Sequence, residues 1–156
     1  MESELKWQLV AYHHTHCQAL TQIWRTSMQA AIGIAPIHEF ESQAYFLSDI
    51  LTKNYQIKVA LIAAEPAGFI AFNEDEINQL YIHQDHQGQG IGRALIDEAK
   101  SYAVAARGPH AGLSVRTFDV NQGARAFYQT LGFEERAGNT NNEEGLLDLE
   151  LIWSAQ

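Results

Sequence analysis

Gln87-Gly88-Gln89-Gly90-Ile91-Gly92-Arg93 is the stretch of this chain whose residue types and spacing carry the clearest chemistry. It follows a strand-like run, Glu76 to Ile82, and opens an amphipathic helical run at Ile91. Such a junction gathers unpaired backbone N–H groups and the positive end of a helix dipole. Glycines let phosphate oxygens come close to that backbone. A pyrophosphate is the expected ligand, with Arg93 in the first helical turn to help. The rival reading is a tight strand-to-helix turn that binds nothing. Two better-known phosphate loops fit poorly. The third glycine arrives one residue early for the dinucleotide fingerprint, and no acidic residue ends a strand about 20 residues on to hold a ribose. The Gly-Lys-Ser/Thr of a P-loop is absent.

Periodicity supplies the elements that must position this loop. Lys6 to Tyr12 alternates as a strand. Thr15 is placed to cap a helix carrying Ala19, Leu20, Ile23, Trp24 and Met28, which Gly33 ends. Ile32 to Ile37 forms a small apolar loop, and a second helix runs from about His38 to Thr52. Three strands follow: Ile57 to Ala63, Phe69 to Phe72 after a Glu65-Pro66-Ala67-Gly68 turn, and Glu76 to Ile82 after Asn73-Glu74-Asp75. The helix from Ile91 is stopped by Gly108-Pro109. Leu113 to Thr117 is a strand, Gly123 to Leu131 a short helix ended by Gly132, Phe133 begins another strand, and Leu146 to Trp153 closes the chain after an Asn139-to-Gly145 turn. The order β-α-α-β-β-β-α-β-α-β-β joins an antiparallel meander to at least one parallel crossover. The expected fold class is α/β (α+β), with a mixed, mostly antiparallel central sheet flanked by helices on both faces.

Composition bounds the function. The 156 residues contain no linker-like segment and suit a single domain over residues 1–156. One cysteine, Cys17, allows no internal disulfide. The start, Met1-Glu2-Ser3-Glu4, is acidic where a signal peptide would be basic, and the apolar run Val59 to Ala64 is far short of the ~20 residues that span a bilayer. A soluble cytoplasmic protein is expected, without a membrane partner. Ten Lys and Arg against 19 Asp and Glu give a net charge of −9, with no window rich in basic residues. That argues against nucleic acid and favours cationic partners such as amines. His13, His14, His16 and Cys17 are crowded at one junction with no second ligand group at zinc-like spacing, so no metal is expected.

The run from Leu80 to Leu95 resembles the acetyl-CoA signature of the GNAT superfamily of N-acetyltransferases, whose core Gln/Arg-x-x-Gly-x-Gly/Ala is matched by Gln87, Gly90 and Gly92. Asn121-Gln122-Gly123-Ala124-Arg125-Ala126-Phe127-Tyr128, continuing to Gly132-Phe133, is similar to that family's Asn-x-x-Ala-x-x-Phe-Tyr-x-x-x-Gly-Phe segment. Gln84 departs from the family, which commonly has proline there.

The resemblance implies that acetyl-CoA is the cosubstrate and lies where two parallel strands splay apart. The backbone of Tyr81 and Ile82 would hold the pantetheine arm, with an N–H of Ile82 polarising the thioester carbonyl. Amides from Gln87, Gly88, Gln89, Gly90, Ile91, Gly92 and Arg93 would hold the pyrophosphate, and Asn121 the pantetheine or adenosine part. Asn121 also suits a helix cap. Tyr128 would act as general acid toward the departing thiolate. Glu76, eleven residues before Gln87, has the offset of a catalytic glutamate in the histone-acetylating branch. It is the candidate base, on a face shared by strand alternation with Asn78, Leu80 and Ile82. His83 and His86 are rival bases.

The expected activity is transfer of acetyl to a primary amine (a small molecule, polyamine, amino acid or peptide) by direct attack. The acceptor would dock against the Ile32-to-Ile37 loop, the second helix and the start of the Glu76 strand, drawn by Glu39, Glu41, Glu74, Asp75 and Glu76. The runner-up is a non-catalytic acyl-CoA-binding module, and a third reading is a nucleotide-binding domain of another fold. Family members are often homodimers, which composition does not decide.

Overall fold

The alternating runs become seven strands: β1 (Trp7–Ala11), β2 (Gln56–Ile62), β3 (Glu65–Phe72), β4 (Glu76–Ile82), β5 (Gly112–Phe118), β6 (Glu134–Arg136) and β7 (Asp148–Ser154). The helical runs become α1 (Cys17–Ile32), α2 (residues 40–54), α3 (Ile91–Arg107) and α4 (Gln122–Thr130). The computed structural model describes residues 6–156, so the acidic Met1–Glu4 stretch lies outside the described residues. The strands form one sheet of order β1-β2-β3-β4-β5-β7-β6. Every neighbouring pair is antiparallel except β4 with β5, which α3 connects as the expected crossover.

Helices cover both faces, which is why β3 reads as an almost continuous apolar run. Phe69 and Ala71 of β3 join a core with Leu20, Ile23 and Trp24 of α1 and Ala44 and Leu47 of α2. Ile70 and Phe72, pointing the other way, join Leu95, Ile96 and Ala99 of α3 and Tyr128 of α4. Gly33 ends α1 in the left-handed region. The middle of α2, Phe46–Leu51, is wound as a π-helix.

Several boundaries differ from the sequence reading. The Glu65-Pro66-Ala67-Gly68 segment is strand, and the turn is the two-residue Ala63-Ala64, both with positive φ. Gly68 is needed for close strand approach: a Cβ there would lie 2.7 Å from the Tyr81 carbonyl oxygen. Pro66 is tolerated because the β2–β3 register shifts beside its partner Leu61. Thr15 does not cap α1. A short turn, His14–His16, precedes the helix, and His13 caps that turn by accepting from the Thr15 N–H. Two of the four residues weighed for metal, His13 and His16, thus form a local capping box.

A left-handed alanine costs about 1 kcal/mol relative to glycine. Ala64→Gly should therefore raise stability by about 1 kcal/mol, measured as a shift in the urea unfolding midpoint at unchanged slope.

Candidate active site

The parallel pairing of β4 with β5 lasts for two positions, Glu76 with Ser114 and Ile77 with Val115. β4 then runs on to Ile82 with no strand on that side. The main-chain groups facing the gap follow from the other ladder. His83 N–H donates to Ala67 O at 2.7 Å. In an antiparallel ladder the adjacent residue, Ile82, must then turn its N–H and C=O away from β3 and into the gap. The same alternation engages the main chain of Tyr81 with Phe69, its partner in register. Gln87 reaches back so that its Nε2 donates to Ile82 O at 3.3 Å.

The glycine loop has the local geometry its sequence requires. Gly88 and Gly90 take positive φ values of 82° and 90°. The α3 ladder opens with Ala94 N–H donating to Gly90 O. Ile91, Gly92 and Arg93, the first residues of α3, stand ahead of that ladder, so their N–H groups have no partner within the helix. Gly92 serves a packing need: a Cβ there would stand 2.9 Å from Phe127, so its absence lets α4 dock on the first turn of α3. Trp7 reaches across from β1, its indole N–H donating to Gln89 O at 3.1 Å.

Beside the loop and the gap lies a cavity of about 520 Å³, walled by Tyr81, Ile82, Gln87, Gly88, Ile91, Gly92, Asn121 and Tyr128. The structure thus brings together eight of the sequence-predicted residues. Gln89, Gly90 and Arg93 border the loop without lining the cavity. Asn121 caps α4, its Oδ1 accepting from Ala124 N–H at 3.2 Å. Tyr128 is 5% exposed, and its hydroxyl has no hydrogen-bond partner among the described residues. Burial pushes its phenol above the ordinary value, and the Tyr81 phenol adds to this, so Tyr128 stays protonated. His86 also lines the cavity, whereas His83 does not.

Glu76 is placed differently from expectation. The β3–β4 register shifts so that Ala71 faces Gln79 while Phe72 faces Ile77. This bulge at Asn78 puts Ile77 and Leu80 on the α3 side. Glu76, adjacent to Ile77, therefore points to the opposite face from Leu80 and Ile82. There it accepts from the Tyr55 hydroxyl at 2.7 Å, and Asn78 Nδ2 donates to the same hydroxyl at 3.2 Å. Burial, then the Glu76 contact, pushes the Tyr55 phenol up to about 12. Glu76 lines neither cavity; Asn78 does.

That second cavity, about 500 Å³, lies across α1 from the first. Its wall includes Ile32, Ile34, Pro36 and Ile37, Ser42, Gln43 and Phe46 of α2, and Asn78 and Gln79 of β4, the region expected to receive an acceptor. The acidic residues differ from those expected. Glu74 and Asp75 pair with Arg107, and neither Glu39 nor Glu41 reaches the wall. Glu143 and Glu144, from the loop between β6 and β7, do. Sequence reading treated that loop only as a turn; its two adjacent carboxylates were the available signal. Glu143 meets His38 Nε2 at 2.6 Å, joining two loops that are 105 residues apart.

Comparison with known proteins fits this geometry. The acetyltransferase (GNAT) domain profile matches residues 26–154. A peptidyl-lysine N-acetyltransferase, YjaB of Salmonella typhimurium, is 30% identical over 127 residues, covering 78% of this chain and 79% of the relative. Two solved structures share the fold: the putative acetyltransferase yncA of Salmonella typhimurium with its cofactor acetyl-CoA (TM-score 0.73, 19% identity, 97% and 95% of the two chains), and the paia N-acetyltransferase of Thermoplasma acidophilum in complex with coenzyme A (TM-score 0.74, 17% identity, 96% and 99%). Among the described residues no helix is long and apolar enough to cross a membrane.

Trp7 lies ahead of the matched residues, yet it pins the loop. Trp7→Phe keeps an aromatic ring but removes the indole N–H, and with it one hydrogen bond worth about 1 kcal/mol. It should weaken coenzyme A binding about fivefold in a calorimetric titration.

Proposed function

The chain belongs to the GNAT acetyltransferase family, whose members move acetyl from acetyl-CoA to an amine, and on that premise we propose that its acceptor is the side-chain amine of a lysine within a polypeptide. The observation that carries this reading is a pair of cavities on either side of α1 that both reach β4, one at Asn78 and Gln79 and the other at Leu80 to Ile82. One is bordered by the first-turn amides of α3 and a buried tyrosine. The other is an apolar channel with carboxylates at its wall, suited to a methylene stem ending in an ammonium. The similarity to a peptidyl-lysine N-acetyltransferase supports the same acceptor.

Acetyl-CoA, when bound, supplies an activated thioester. The amides from Gln87 to Arg93 and the positive end of α3 hold its pyrophosphate. Ile82 N–H points into the gap and polarises the thioester carbonyl. The amine nitrogen attacks the carbonyl carbon, an amide bond forms and the C–S bond breaks. Tyr128, kept protonated by burial, donates to the departing sulfur. The ammonium of the incoming lysine must lose a proton before attack, since its ordinary pKa is ~10. Glu76 takes that proton at one remove, through water beside Asn78 and the Tyr55 hydroxyl. Asn121 serves the cofactor cavity as well as the α4 cap. A buried, lone cysteine fits a reducing compartment such as the cytoplasm.

The test is thiol release from acetyl-CoA with lysine peptides beside free amino acids and polyamines; peptide acetylation at lysine is expected, and turnover confined to small amines would replace the acceptor. Tyr128→Phe should lower kcat about 100-fold while shifting the coenzyme A Kd less than threefold; an unchanged kcat removes Tyr128 from the chemistry. Glu76→Gln should slow the reaction most at low pH and least near pH ~10, where the amine is already neutral. A pH–rate profile parallel to that of the wild type would transfer the base role elsewhere.

A further inference from the structure

The acceptor cavity contains one charged group that has no polar partner among the described residues. Four charged or chargeable side chains line it besides the neutral wall: Arg25, His38, Glu143 and Glu144. Arg25 Nη1 donates to His38 O at 2.6 Å and to Gln43 Oε1 at 2.9 Å. Glu143 is taken by His38. Glu144 alone has neither a hydrogen bond nor an ion pair among the described residues, and it is only partly exposed.

Its place is fixed. Gly145 N–H donates to Asn142 O, Asn142 Nδ2 donates to Leu146 O at 2.8 Å, and Asn139 N–H donates to Asp148 Oδ1, so the loop is tied to its own base. Tyr81 stacks on Trp24 of the acceptor cavity and donates to Met28 Sδ at 3.7 Å, while also walling the cofactor cavity. Glu144 stands in the wall of the same cavity as Asn78 and Gln79 of β4, the strand that runs on to the thioester gap. Met28, Ile32, Ile34 and Phe46 line the approach. An apolar channel with an unpaired carboxylate is complementary to an alkylammonium, because burial of the methylene stem and a charge-assisted hydrogen bond act together.

We infer that Glu144 is the specificity-determining residue of the acceptor site, binding the ammonium of the incoming lysine in the cavity between α1, α2 and the β6–β7 loop. This rests on the acceptor class proposed above and adds the residue that selects it. Glu143 does not share the task, since His38 already occupies it. Its part is to hold the β6–β7 loop against the loop that follows α1.

The discriminating probes are peptides that bind without reacting. A peptide carrying N,N-dimethyl-lysine keeps the positive charge, and its norleucine counterpart keeps only the stem. Used as competitive inhibitors of lysine-peptide acetylation, the charged peptide should bind wild type about tenfold more tightly. In Glu144→Gln that preference should fall to near unity, while Glu144→Asp retains part of it. With the lysine peptide as substrate, Glu144→Gln should raise KM about tenfold and leave the acetyl-CoA KM unchanged, a split expected of ammonium recognition and not of loop damage. A preference that survives in Glu144→Gln, or one absent from wild type, overturns the assignment. A free alkylamine is run in parallel. If it is acetylated and lysine peptides are not, the polypeptide reading fails. Glu144 is then judged on the alkylamine alone: a KM raised in Glu144→Gln upholds it and an unchanged KM discards it.

Discussion

The site depends on a parallel ladder that stops early. β4 and β5 bond at two positions and then part, although β4 continues to Ile82 and β5 to Phe118. Unpaired main-chain groups in the middle of a sheet are costly unless something else meets them. Here the opening exposes Ile82 on one side of the break and Tyr128, carried by α4, on the other. The crossover geometry then places the first turn of α3 beside the same opening, since α3 is the connection between the two parting strands. One break in hydrogen bonding thus creates the gap, aims the amide donors and leaves room for the phenol.

Close approach keeps the break open in a defined shape. Gly92 lacks the Cβ that would strike Phe127, so α4 seats directly on α3 and carries Tyr128 to the cavity wall. Gly68 lacks the Cβ that would strike the Tyr81 carbonyl, so β3 stays tight against the outer part of β4. The rigid β3–β4 ladder on one side and the α3–α4 contact on the other leave the space between them as the adaptable volume.

Much of this was legible in the sequence because it is local. The glycine loop, Asn121 at a helix start and Tyr128 seven residues after it are contiguous motifs, and the element order follows from periodicity. The misreadings arose where tertiary context overrides local pattern. The bulge at Asn78 adds one residue to β4 and reverses the face of everything before it, so alternation counted from Ile82 assigned Glu76 to the wrong side. Glu65-Pro66-Ala67-Gly68 has turn composition, but both sheet neighbours of β3 and a register shift absorb it. Glu143 and Glu144 could not be placed from sequence, because only the return of β7 beside β5 swings their loop over α1 and α2.

The electrostatics of the two cavities then divide in a way that net charge does not foretell. A chain of charge −9 repels a polyanionic cosubstrate at long range, yet only Arg93 stands at the loop as a formal cation. In the function proposed, the compensation comes from oriented amides and a helix dipole, which act over a few ångströms and contribute no net charge. The acidic excess is thereby left free to act elsewhere, and the Glu143–Glu144 loop places part of it over the opposite cavity. In the function proposed, anion binding through the main chain after β4 and cation binding through Glu144 of the β6–β7 loop therefore lie on opposite sides of α1 without cancelling, because one depends on local dipoles and the other on a carboxylate.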